Sequence, residues 1–279
     1  MRESQLLTWA AAAIGSVLEV HPLHDDQGPW RVTAAGAQYV LRAPTPRIEA
    51  PMIATAAAAL QVAAQHHLPA PRLIAADLSG SEAGVPATVE TLVPGTSTWS
   101  AGTPESLRAA GAALAQLHSL ELDPQEHLPF RPRPIAVDDF ALDRRTGRMP
   151  TTPLLSQADT LITAHGRPVA TTVFLHGDVW PGNLVWTDNR VGAFIDWKTA
   201  GVGAPGVDLS ELRKQAAISF GPEAPTHVLT GWQQAADTPA HHVAYWDAVA
   251  ALNTPTTLYN PTATTRRNNF LRQALQQLP

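Results

Sequence analysis

FLHGDVWPGNLVWTDNRVGAFIDWKTAGVGAPGVDLSEL, residues 174–212, decides how the rest of the chain is read. It opens on an apolar strand and passes through His176-Gly177-Asp178 and a Pro181-Gly182 turn to Asn183. A second strand, VGAFI, then ends on Asp196. Two carboxylates and one amide oxygen thus stand at the ends of short apolar strands, where the backbone can hold them still. Phosphoryl transfer suits such an arrangement, because it needs a positioned nucleophile and held magnesium and little covalent chemistry from the protein.

Each group has a chemical use at its place. Asp178 follows a strand within a loop, where a carboxylate can reach the proton of a substrate hydroxyl. Asn183, five residues on, can fold back to the same space and offer a hard carbonyl oxygen to magnesium. Asp196 could supply the carboxylate that bridges metal and nucleotide phosphates. The plainer alternative is that both aspartates satisfy loop amides and Asn183 only stabilises its turn. The three together, in strand context, favour the functional reading.

The bulk numbers set the frame. The 279 residues leave room for two modest lobes or one large domain, and 44% hydrophobic content is that of a globular chain. A net charge of −5 and a pI near 6.1 give no support for a nucleic-acid surface. With no cysteine, disulfides and thiolate metal sites are excluded. The start, MRESQLLTWAAAAIGSVLEV, is interrupted by Glu3, Gln5 and Glu19, so it reads as an amphipathic helix rather than a signal peptide. No apolar run is long enough to span a membrane, and a cytoplasmic location is expected. Lysine occurs only at positions 198 and 214.

Along the chain, WRVTA and AQYVLRA read as paired strands with Ala35-Gly36 as the turn. An alanine-rich helix over Ile48–His67 is ended by Pro69 and Pro71, and RLIAA and PATVETLV read as further strands. Pro94-Gly95 and TSTWSAGTP form the expected linker. The pattern is then mostly helical: ESLRAAGAALAQLHSL, Val137–Arg148, Leu154–His165, Asp208–Phe220, Glu223–Ala236, Ala240–Leu252 and Thr264–Leu278. Strands are expected only near Thr172–His176, Asn183–Thr187 and Arg190–Asp196.

His176-Gly-Asp-x4-Asn183, Ile195-Asp196-Trp197 and Gly203-x-Pro205-x2-Asp208-Leu209 together resemble the aminoglycoside phosphotransferase and choline kinase-like family. The YVLR strand, LPAPRLI, the VPG linker and LAQLH extend the likeness beyond that stretch. The resemblance implies an α+β, two-lobed protein-kinase-like fold, with a small sheet-plus-helix first lobe over 1–93 and a mainly helical lobe over 94–279. It implies Asp178 as catalytic base, Asn183 and Asp196 as Mg2+ ligands, and His176 and Asp208 as structural residues at the site. The co-substrate would be ATP or GTP and the acceptor a hydroxylated small molecule, an antibiotic among the possibilities.

The first lobe departs from that pattern. A kinase-like fold places a lysine on the third strand, and here only Arg42 can occupy the place. The helix that follows should supply a pairing glutamate near Thr55 or Ala56; the nearest acid is Glu49. The segment HPLHDDQGPWRV, which should cover the phosphates, has one glycine, Gly28, and two aspartates, a poor anion cradle. A kinase-fold binding protein with little or no transfer is therefore the alternative. The purine is expected against the backbone of Glu90, Thr91 and Leu92. Candidate acceptor walls are Trp180, Glu211, Gln215, Trp232, Tyr245, Trp246 and Asp247, with Arg266 and Arg267 in the tail. Acids and bases are mixed there, so no cationic acceptor is singled out.

Two other patterns carry less. Gly201-x-Gly203-x-x-Gly206 matches a dinucleotide motif, yet no second parallel strand is expected after it to complete a βαβ unit. No G-x-x-x-x-G-K-[ST] exists, which excludes a P-loop kinase.

Overall fold

A computed structural model describes residues 2–23, 28–99, 102–187 and 190–278. The centre of the expected phosphate-covering segment, residues 24–27, lies outside them. A five-stranded antiparallel sheet, in the order β1-β2-β3-β5-β4, occupies the first lobe. Its strands are β1 (Val17–Pro22), β2 (Trp30–Ala34), β3 (Ala37–Arg42), β4 (Leu73–Asp77) and β5 (Ala87–Thr91). β2 and β3 meet at Ala35-Gly36, both at positive φ (49° and 76°), the geometry of a tight two-residue hairpin. Ahead of this hairpin, Val17–Pro22 is a further strand, mostly exposed at the sheet edge.

Helix α1 (Arg2–Ile14) buries Leu6, Ala10 and Ile14 against Val32, Leu41 and Val89. Helix α2 (Ala50–Gln65) carries Pro51 in its first turn and buries Ile53, Ala56, Ala57, Leu60 and Ala63. Because its side chains are small it can lie close to β4, β5 and the short turn Trp197–Thr199. The sheet lobe and the catalytic segment are thereby joined through one helix.

The second lobe is built on α3 (Pro104–His118) and α7 (Ala224–Ala236), each with a proline in its first turn. They approach backbone to backbone. A Cβ at Gly111 would fall 2.0 Å from the Val228 carbonyl oxygen, and one at Gly231 would fall 2.1 Å from that of Arg108. Only glycine fits either place. Around this pair stand α4 (Phe140–Arg145), α5 (Pro153–His165), α6 (Gly206–Phe220), α8 (Val243–Leu252) and α9 (Pro261–Gln276). The expected helix over Val137–Arg148 is cut to six residues, because Asp139 caps it at the Leu142 N–H and Gly147 turns away at φ 73°.

Two short pairs carry the segment from Val173 to Gly203. β7 (Leu184–Thr187) pairs with β8 (Arg190–Phe194), and β6 (Val173–Leu175) pairs antiparallel with β9 (Gly201–Gly203). β9 was read as loop, since three residues with two glycines give no strand signal. Its antiparallel pairing rules out a βαβ reading of the glycine motif. Among the described residues no helix is long and apolar enough to cross a membrane.

Candidate active site

The loop after β6 is held by backbone bonds. Asp208, fully buried in the first turn of α6, accepts from the His176 N–H at 2.7 Å and the Gly177 N–H at 2.9 Å. His176 Nε2 lies 2.9 Å from the Ile195 carbonyl, and Nδ1 accepts the Asp178 N–H at 3.3 Å. Those partners assign the neutral imidazole with its proton on Nε2, consistent with burial lowering its pKa. Gly177 sits at φ 85°, and a Cβ there would be 2.2 Å from the Thr199 carbonyl oxygen. Behind the loop, His118 Nδ1 accepts from Trp232 Nε1, and its Nε2 stands 3.6 Å from Asp208.

Asp178 projects from this brace into a half-buried position. Burial pushes its carboxyl up to about 7; Lys198 and Lys214 pull against that, while Glu211 and Asp196 add to it. The Asn183 side-chain N–H donates to the Asp178 carbonyl at 2.9 Å, which leaves the amide oxygen for another partner. Asp196 follows β8 in the left-handed region, at φ 67°. Burial works to raise its carboxyl, but Arg42 and Lys198 outweigh that and hold it below the usual range.

Arg42 reaches that carboxylate across the lobes. Its Nη1 bonds Asp196 Oδ1 at 3.1 Å, while Nε and Nη2 bond Glu90 Oε1 at 3.0 and 2.9 Å. Burial would lower the guanidinium pKa; the two carboxylates reverse that and raise it. The acid that pairs with Arg42 is thus Glu90 on the neighbouring strand, not Glu49, which lies exposed at the start of α2. This also changes the expected purine edge: Glu90 turns inward, and the N–H groups of Thr91 and Leu92 are given to the Arg72 and Gln38 carbonyls.

Lys198 was not expected at the site, yet its ammonium bonds Asp196 Oδ2. Its signal in the sequence was its rarity and its place two residues after Asp196.

The expected acceptor walls do not form one pocket beside Asp178. Trp180 is exposed beside the loop. Glu211 is fully buried, bonded by Lys214 at 2.7 Å and Gln215 at 2.9 Å, and it faces Asp178 electrostatically rather than lining open space. Asp247 is buried and bound by Arg213, and Trp232 is held by His118. Trp232 and Trp246 line a cavity of about 1100 Å³ with Val173, Ala204 and Gly206, at the end of β6 and β9 away from Asp178. Tyr245 packs edge-on against Trp246. Arg266 closes the end of α6 on the Ile218 and Ser219 carbonyls, and Arg267 is buried on those of Pro255 and Thr256.

The donor set fits magnesium. Among the described residues no cluster of three His, Cys, Asp or Glu would hold a metal alone. Magnesium, however, needs only one or two protein oxygens when phosphates and water complete its octahedron. The Asp196 carboxylate and the free amide oxygen of Asn183 are such a pair.

Comparison with solved structures gives the fold a context. Macrolide 2'-phosphotransferase MphH from Brachybacterium faecium is 21% identical over 99% of this chain and 98% of its own, with a TM-score of 0.65. Amicoumacin kinase hAmiN, in complex with AMP-PNP, Ca2+ and Ami, is 16% identical over 99% and 94%, also at 0.65. A thermostable mutant of aminoglycoside phosphotransferase APH(4)-Ia, in complex with ADP and hygromycin B, is 13% identical over 97% of each chain, at 0.61. No curated protein matches. At these identities the likeness shows a shared protein-kinase-like fold. The model of the phosphotransferase enzyme family matches residues 19–252, most of the chain. The chain belongs to the phosphotransferase enzyme family.

Proposed function

We propose that this enzyme moves the γ-phosphoryl group of ATP or GTP, with Mg2+, to a hydroxyl of a small molecule. Residues 1–93 would bind the nucleotide and residues 94–279 would carry the base, the metal site and the acceptor. One observation supports this most: Asp178, Asn183 and Asp196 stand on one braced segment, and Arg42 crosses the lobes to Asp196. Asp178 takes the acceptor hydroxyl's proton, at a pKa of about 7 that lets it accept and release near neutrality. Asn183 and Asp196 would hold the metal, which would supply positive charge beside the phosphate oxygens. Arg42 orients Asp196 from the sheet side and adds a fixed positive charge at the nucleotide face.

Among structures of this fold, one is a macrolide 2'-phosphotransferase, one an amicoumacin kinase, and one a complex with hygromycin B, so an antibiotic hydroxyl is the first acceptor class to try. The enzyme would act on it in the cytoplasm. The test is ADP or GDP release across aminoglycosides, macrolides, basic peptide antibiotics, sugars, choline and homoserine. Release with one acceptor, abolished in Asp178→Asn, supports the reading; Mg-nucleotide binding with no release from any class favours a binding protein. That second reading draws on the lack of any lysine in the first lobe.

A further inference from the structure

The first 197 residues contain no lysine, and the first one in the chain, Lys198, stands two positions after Asp196. The left-handed backbone at Asp196 turns the chain sharply between them. Arg42 holds one oxygen of the Asp196 carboxylate and Lys198 the other. The two cations differ in freedom. The Arg42 side chain is 8% exposed and is fixed by two contacts to Glu90. Lys198 is 21% exposed, has this single bonded partner, and lies on a cavity of about 270 Å³ shared with Glu49, Thr55 and Arg131. Its charge is also felt at Asp178.

A carboxylate with a cation on each oxygen repels a divalent metal, and metal binding is eased when one cation leaves. Arg42 is anchored, so Lys198 is the one that moves, on a flexible four-carbon stem with open space beside it. Phosphate oxygens that arrive with the metal are the strongest acceptors within its reach. We propose that Lys198 is this chain's second phosphate-gripping cation: its ammonium neutralises Asp196 before nucleotide binds and passes to the phosphoryl oxygens once that carboxylate takes its metal. This rests on the phosphotransferase reading above and deepens it, by naming the side chain that joins Arg42 at the phosphates.

Only two lysines exist, so a direct chemical readout is available. ATP or GTP acylated on its γ-phosphate transfers the acyl group to an amine beside it. The amine nitrogen bonds the acyl carbon, the carbon–oxygen bond to phosphate breaks, the nucleotide leaves with its phosphate, and the amine loses a proton. Peptide mass spectrometry of the full chain should find the acyl group on Lys198, suppressed by excess unmodified nucleotide. Labelling should be roughly fivefold faster with magnesium than with EDTA, the factor a partly exposed ion pair is worth once opened. Label on Lys214 alone, or none, in protein shown by equilibrium dialysis to bind Mg-nucleotide, overturns the proposal.

A second variant reads the other half of the exchange without turnover. Lys198→Met should bind Mn2+, without nucleotide, roughly fivefold tighter by electron paramagnetic resonance, since no ammonium must be displaced. Unchanged Mn2+ affinity also overturns it. A wild-type chain that binds no Mg-nucleotide sinks the parent reading as well, whereas one that binds yet leaves Lys198 unlabelled sinks only this proposal.

Discussion

The catalytic segment and the first lobe both hold charged side chains out of water, but by different means. In the segment the backbone does the holding: Asp208 takes two loop N–H groups, His176 bridges Ile195 and Asp178, and Asn183 ties back to the Asp178 carbonyl. In the first lobe one guanidinium is held by two carboxylates, one from β5 and one from beyond the lobe. The longest of the segment's bonds spans 32 residues, from His176 to Asp208, so the motif is fixed within itself. A side-chain triad depends on elements far apart in sequence, so it tolerates different residues at each corner. Here arginine and a strand glutamate fill places where a lysine and a helix glutamate were expected.

The sharpest way to separate the two regions is to remove the segment's base. Asp178→Asn should lower turnover with the true acceptor about 10³-fold and leave Mg-nucleotide affinity unchanged, as read by ADP release and dialysis. Ordinary turnover in that variant would remove Asp178 from its role.

On the sheet side, Glu90→Ala leaves buried Arg42 with Asp196 alone and should cost about 3–5 kcal/mol in urea unfolding. Glu49→Ala, at an exposed position with no cap bond, should stay within about 0.5 kcal/mol. Equal losses in the two variants would break the assignment of Glu90 as the partner.

pH gives a third measure. The Asp178 carboxyl, at about 7 when folded against 3.8 when free, keeps its proton longer in the folded chain. The folded state therefore binds more protons between these values, and stability should fall by up to about 4 kcal/mol as pH rises from about 4 to about 7, then level off. Asp178→Asn should flatten that slope in nucleotide-free thermal unfolding; an unchanged slope would place the titration elsewhere.

The smallest effect belongs to a turn. Asp77 accepts from Ser79 Oγ and from the N–H groups of Gly80, Glu82 and Ala83. Burial would raise its carboxyl, yet those donors bring it down to about 2. Its contribution is thus present above about 4 and lost as pH falls toward about 2. Asp77→Ala should cost about 1 kcal/mol at neutral pH and make the remaining acid sensitivity weaker. A loss that persists undiminished at pH 2 would contradict this.

What could be read from the sequence follows the same division. His176, Asp178, Asn183, Asp196 and Asp208 lie within 33 residues, and each is placed by turns and strand ends that have local signatures. The link from Arg42 to Glu90 spans 48 residues and follows from strand order, which puts β5 beside β3. Nothing near either residue announces it. The acceptor wall was misjudged for a related reason. Asp247 and Arg213 lie 34 residues apart on two helices, and their pairing consumes a carboxylate that composition alone offered to a ligand. β9 escaped notice because a three-residue strand with glycine at both ends takes its conformation from its partner β6.

The split hold on Asp196 has a mechanical consequence. If the lobes part, the bond between Arg42 and Asp196 is the one that must open. Arg42 then departs with Glu90 on its own sheet, and Asp196 stays with Lys198 on its own turn. Each half leaves as a neutral pair, so the cleft can gape to admit nucleotide without stranding a lone charge on either wall.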